Sequence, residues 1–94
     1  MDRIQAMQMF MRVAEAGSFV RAAETLSLPA STVTSTIKNL EKYLKVRLLN
    51  RTTRRVSLTP EGMQYLAQCR EILALIEHSE STLSESVARP QGRL

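Results

Sequence analysis

The sequence predicts a mainly α fold: three short helices, a short two-stranded β wing, and one long helix suited to dimerisation. Three observations predict it. Apolar residues recur at helical spacing over three stretches before Lys45. Two β-compatible runs flank a polar, cationic tip at Asn50–Arg55. Within a helix that starts at Thr59, a heptad repeat runs from Leu66 to Val87. A chain of 94 residues makes one small domain, able to bury somewhat over ~60% of its unfolded surface. Apolar residues are 44% of the chain but aromatic residues only 4%, so aliphatics and methionines must fill the core. The same scarcity argues against stacking platforms for single-stranded bases.

Asp2 followed by Gln5 resembles a capping box, and Ile4, Met7, Met11 and Ala14 then mark one helical face, widened by Phe10 and Val13. Gly17 can end this helix in the left-handed conformation. The methionines read as core packing rather than a soft-metal site, because they share the face with Ile4 and Phe10. Ser18 is the N-cap of the second helix, with Phe19, Ala22, Ala23 and Leu26 facing inward. Paired alanines let another helix approach closely. The turn is Ser27-Leu28-Pro29, in which Leu28 plugs the corner and Pro29 fixes φ at the start of the third helix.

The third helix spans about Ala30 to Tyr43, with Val33, Ile37, Leu40 and Leu44 forming one buried stripe. At roughly 100° per residue, Ser31, Ser35, Lys38 and Lys42 fall opposite, flanked by Thr34 and Asn39. That outward face starts with small hydroxyls and finishes with cations. Small residues let a helix end sink into a groove, hydroxyls bond phosphates or base edges, and lysines neutralise phosphate. With the second helix bracing it, this is a helix-turn-helix whose third helix faces double-stranded DNA.

Val46–Leu49 and Val56-Ser57-Leu58 enclose Asn50-Arg51-Thr52-Thr53-Arg54-Arg55, a hairpin wing with no Asn-Gly or Asp-Gly to set its register. Arg54, near the tip, suits a narrow minor groove. Net charge is concentrated here. Residues 38–58 carry Lys38, Lys42, Lys45, Arg47, Arg51, Arg54 and Arg55 against Glu41 alone, whereas residues 1–37 are balanced and residues 59–94 net acidic. A basic surface also attracts anionic membrane, but the apolar residues of this segment belong to the core stripe, so no membrane partner is expected.

Thr59-Pro60-Glu61-Gly62 is a helix start, with a hydroxyl cap, proline at the first helical position and a carboxylate in the first turn. The helix should reach about Val87, roughly 40 Å, more than so small a domain needs to cover itself. Leu66, Cys69, Leu73, Ile76, Leu83 and Val87 form a heptad seam broken by Glu80 and broadened by Ile72 and Leu75. These residues are the candidate dimer interface, the early part packing at home and the later part across to a second copy. His78 lies outside the seam, and one histidine with one cysteine makes neither a metal site nor a triad. Cys69 reads as a small buried hydrophobe rather than a redox switch. There is no phosphate-binding glycine loop and no carboxylate pair, so neither metal, cofactor nor enzyme activity is expected. With no membrane span, no secretory signal and a single cysteine, a reducing cytoplasm is the expected location.

The run AAETLSLPASTVTSTIKNLEKYLKVRLLNRTTRRVSLTPEG resembles the N-terminal winged helix-turn-helix of LysR-type transcriptional regulators. Its markers are Ala22-Ala23, Leu26, Val33, Ile37, Leu40-Glu41, Leu44, Leu48, Arg51, Arg54, Leu58-Thr59 and Gly62, specific through their joint spacing. The resemblance implies a bacterial repressor or activator acting at the nucleoid, whose linker helices pair antiparallel into a homodimer on a pseudo-palindromic operator. It implies higher oligomers in the full-length protein, and a small-molecule effector bound only by a C-terminal domain absent from this sequence. On that pattern residues 1–58 are the winged helix-turn-helix, 59–88 the linker helix and 89–94 the hinge toward the effector-binding domain. DNA contacts carried across are Ala30, Ser31, Thr32, Thr34, Ser35 and Lys38, with Arg54 from the wing; Lys42, Arg51 and Arg55 would add phosphate attraction. Two departures matter. Many relatives have Ser-Gln at Pro29-Ala30, and arginine or glutamine at Ser35 and Thr36, so base selection here should lean on methyl contacts, water and DNA shape. Lys45 stands where glycine is frequent. The alternative reading is a coiled-coil interaction module whose basic hairpin binds an acidic partner protein.

Overall fold

A computed structural model of the chain describes residues 1–52 and 55–88. Helices α1 (Arg3–Ala16), α2 (Phe19–Leu26) and α3 (Ala30–Leu44) are followed by strands β1 (Leu49–Arg51) and β2 (Val56–Leu58) and by helix α4 (Pro60–Ala88). The architecture is a winged helix-turn-helix with a long terminal helix. Asp2 caps α1, its carboxylate accepting the Gln5 N–H at 3.1 Å, and Gly17 closes it at φ 68°. Ser18 caps α2 by accepting the Arg21 N–H at 3.2 Å.

Both α2 and α3 end on a left-handed residue that is not glycine: Ser27 at φ 57° and Lys45 at φ 60°. In each case the following N–H reaches back five residues, Leu28 to the Ala23 carbonyl at 3.0 Å and Val46 to the Glu41 carbonyl at 3.2 Å. This closure satisfies otherwise free helix-end carbonyls and turns the chain sharply, at a conformational cost of about 1 kcal/mol for a side chain. At Ser27 it also places half-buried Leu28 in the corner between α2 and α3.

The core gathers Phe10 and Val13 of α1, Ala22 and Ala23 of α2, Val33, Ile37 and Leu40 of α3, Leu48 and Leu49 at the wing, and Leu66 and Cys69 of α4. The expected face of α1 holds at Phe10 and Val13 and is corrected at Ile4, Met7, Met11 and Ala14. Its fully covered side is Ala6, Met9, Phe10 and Val13, roughly a third of a turn from Ile4, Met7, Met11 and Ala14. The latter row lies at the edge, because α4 runs alongside α1 and leaves a groove there.

The wing is an antiparallel pair in the register Leu49↔Leu58, Asn50↔Ser57 and Arg51↔Val56. Thr59 joins it to α4 three ways. Its N–H donates to the Leu48 carbonyl at 3.0 Å, its hydroxyl donates to the Arg47 carbonyl at 2.7 Å, and the same oxygen accepts the Gly62 N–H at 2.9 Å. Beyond this anchorage α4 outruns the domain, and the molecule measures 59 × 26 × 21 Å. Leu66 and Cys69 must therefore be taken out of the pairing face. They are 8% and 0% exposed, committed to the chain's own core because the first turns of α4 lie on α1 and the wing. Leu73 and Ile76 are half-buried, whereas Leu75, Leu83 and Val87 are 66%, 67% and 80% exposed.

Candidate nucleic-acid interface

The α3 surface follows from helix geometry. Val33, Ile37 and Leu40 are fully buried, so the opposite side must face out. Ser31, Thr32, Ser35, Lys38 and Lys42 are exposed, and Ala30 and Thr34 half-buried. Pro29 occupies the N-cap position and supplies no side-chain hydrogen bond, so the positive end of the α3 dipole is presented beside Ser31 and Thr32. Thr36 is half-buried, its hydroxyl donating to the Thr32 carbonyl at 2.9 Å. At the other end Tyr43 receives a hydrogen bond from Arg3 at 3.2 Å, with the guanidinium over its ring at 5.6 Å, pinning α3 to the start of α1.

The wing is held against α3 by one side chain that in the sequence alone is only a family marker. Glu41 accepts the N–H groups of Leu48 at 2.8 Å and Leu49 at 3.2 Å on one carboxylate oxygen, and the Arg51 guanidinium at 3.1 Å on the other. Arg51 also lies over the Phe19 ring at 5.3 Å. Arg51 thus stands between α2, α3 and the wing with its charge offset by Glu41, whereas the likewise exposed Lys38, Lys42, Lys45, Arg47 and Arg55 have no ion pair among the described residues. The available signal was that Glu41 is the sole acid in residues 38–58. Arg55 stands beside the wing tip, where its carbonyl accepts from both the N–H and the hydroxyl of Thr52 at 3.0 Å. Arg54, the expected minor-groove residue, lies outside the described residues, as does the expected hinge at 89–94.

A groove of about 680 Å³ runs between α1 and α4. Ile4, Met11, Leu26, Leu73 and Ile76 form its apolar floor, with Arg12, Glu15, Arg70, Glu77 and Glu80 along it. Burial pushes the Cys69 thiol up, and burial together with neighbouring Cys69 pushes the Tyr65 hydroxyl up to about 12. Both stay neutral and packed, Tyr65 against Phe10 at 5.6 Å. Among the described residues no three His, Cys, Asp or Glu side chains converge as metal ligands, and no helix is long and apolar enough to cross a membrane.

Known proteins are similar to this chain in sequence and in fold. The chain is 49% identical over its whole length to an HTH-type transcriptional repressor of Pseudomonas aeruginosa (strain UCBPP-PA14), covering 30% of that protein. It is 43% identical to the uncharacterized HTH-type transcriptional regulator YhjC of Escherichia coli (strain K12), covering 31% of it. The chain thus spans about 30% of the length of these curated relatives. Among solved structures, the BenM DNA-binding domain complexed with catB site 1 DNA superimposes with a TM-score of 0.87 at 28% identity, over 89% of this chain and 93% of that one. The CbnR DNA-binding domain in its DNA complex gives 0.85 at 35% identity, over 92% and 98%. The pattern of the bacterial regulatory helix-turn-helix proteins of the lysR family matches residues 4–63, and the chain belongs to that family, as its DNA-binding winged helix-turn-helix domain.

Proposed function

We propose that the chain binds double-stranded DNA sequence-specifically as a homodimer, on a pseudo-palindromic operator, and regulates transcription in the bacterial cytoplasm. The carrying observation is the division of α3 into a fully buried stripe and an exposed face of small hydroxyls and lysines, next to a cationic wing. In this reading Ala30, Ser31, Thr32, Thr34 and Ser35 enter the major groove and Lys38, Lys42 and Arg55 hold phosphates. The DNA complexes of the BenM and CbnR domains support the placement. The exposed end of α4 and the groove beside α1 support pairing with a second copy. Residues 1–58 then act as the reading head and 59–88 as the linker. No role as an enzyme is proposed.

Salt titrations on a promoter fragment and on random duplex test this. The logarithm of affinity should fall linearly with that of salt, by about 0.9 per phosphate contact, with the promoter fragment bound more tightly throughout. Equal affinity for both duplexes would favour instead a helical interaction module with a basic hairpin. From its place in the sequence, Arg54 is assigned to the minor groove. Arg54→Ala should weaken binding most on A·T-rich flanks. Equal loss on G·C-rich flanks would remove that assignment.

A further inference from the structure

Glu41 is chemically out of place. It is the one carboxylate in a segment of seven cations, on the same helix as Lys38 and Lys42, where negative charge weakens attraction to phosphate. Yet its side chain is only 13% exposed and both of its oxygens are occupied. Three elements meet on it: α3 supplies the carboxylate, the chain entering β1 supplies the amides of Leu48 and Leu49, and β1 ends in Arg51, whose guanidinium rests on Phe19 of α2. A partly exposed ion pair contributes little to stability by itself. A carboxylate shared by two backbone amides and a guanidinium, however, restricts geometry strongly.

We infer that Glu41, acting through Arg51 and the Leu48 and Leu49 amides, sets the angle of the wing to α3 and is a positioning residue for selective DNA binding. This rests on the DNA reading above. Arg51 is then a strut whose charge is withheld from phosphate. A protein that reads major and minor grooves together must hold its two reading elements at one spacing, and this carboxylate is where they are joined.

The test uses the 94-residue chain with two fluorescent duplexes, one from the DNA flanking the protein's own gene and one of random sequence. Glu41→Gln keeps an oxygen for the two amides but cannot neutralise Arg51. The expected result is a roughly tenfold fall in the promoter-to-random affinity ratio, with random binding strengthened and its salt slope steeper by about 0.9, one added phosphate contact. The variant carrying both Glu41→Gln and Arg51→Gln should lose no more selectivity than either single variant, because the two residues act as a unit. A pair serving only stability would lower binding to both duplexes alike, leaving ratio and slope in place; that outcome, or additive losses, overturns the inference. Should Glu41→Gln fail to fold, Arg51→Gln decides. A lowered ratio at unchanged slope supports the strut, and a slope reduced by about 0.9 at unchanged ratio makes Arg51 an ordinary phosphate contact. If the parent chain shows neither selectivity nor salt dependence, the DNA reading fails and this inference with it. Amide exchange at Leu48 and Leu49 would still report, separately, whether Glu41 holds the wing.

Discussion

Gly62, in the first turn of α4, is buried where the chain entering β1 crosses it. A Cβ there would run into the Leu48 carbonyl oxygen and come within 3.2 Å of Leu58 Cδ2. The carbonyl cannot step aside freely, because it already accepts the Thr59 N–H at 3.0 Å. Gly62→Ala should therefore lower stability by about 1–3 kcal/mol in urea unfolding, despite the ~1 kcal/mol by which alanine favours a helix. An unchanged midpoint would show that the crossing gives way. Cys69 and Tyr65 couple the same packing to pH. Both have pKa values raised in the fold, mainly by burial, so the unfolded chain ionises first. Their contribution to stability is whole below the unfolded values and is lost as pH rises past them and through the folded values. Urea midpoints should hold to about pH 8 and then fall, and Cys69→Ala should remove the early part of that fall. A midpoint flat up to about pH 11 would contradict the assigned burial.

Helix ends were legible wherever one residue's chemistry decides them. Asp2, Gly17, Ser18, Pro29 and Thr59 all stand at the boundaries their side chains imply. Lys45 was readable only through its resemblance to a glycine position, and it does adopt φ 60°. Lys45→Gly should raise stability by up to about 1 kcal/mol, the relieved left-handed strain less the added freedom of the unfolded chain, measured as a shifted urea midpoint. A lowered midpoint would show that the lysine stem packs usefully. Ser27 gave no signal, because the need to bury Leu28 arises only once α2 and α3 are in contact. Phe10 and Val13 were legible on the covered face of α1, but its centre was placed too near Ile4 and Met11, because apolar residues surround most of that helix and periodicity cannot choose between two apolar sides. The outward face of α3 was legible because one narrow stripe is apolar and the remainder is not. The role of Glu41 was hidden for the opposite reason: its partners are backbone amides at Leu48 and Leu49, which carry no residue identity.

At the scale of the whole molecule, α4 is two helices in one. Its first turns finish the core through Leu66 and Cys69, and its last turns leave Leu83 and Val87 exposed among the described residues. A heptad seam gives the spacing of apolar residues but not the point where home packing stops; that point depends on how far α1 extends beside it. Leu83→Asp separates the two roles, because Leu83 is 67% exposed and absent from the chain's own core. The substitution should leave helicity and the urea midpoint of the domain in place while sedimentation falls to the mass of one chain, since a charge buried in a helix pair without a partner is strongly unfavourable. Affinity for a two-fold promoter fragment should fall at least tenfold, toward that for an isolated half-site, because the second α3 no longer arrives pre-placed. A dimer that survives Leu83→Asp would move the pairing surface to the groove beside Ile4 and Met11, and Met11→Asp would then be the substitution that separates the copies.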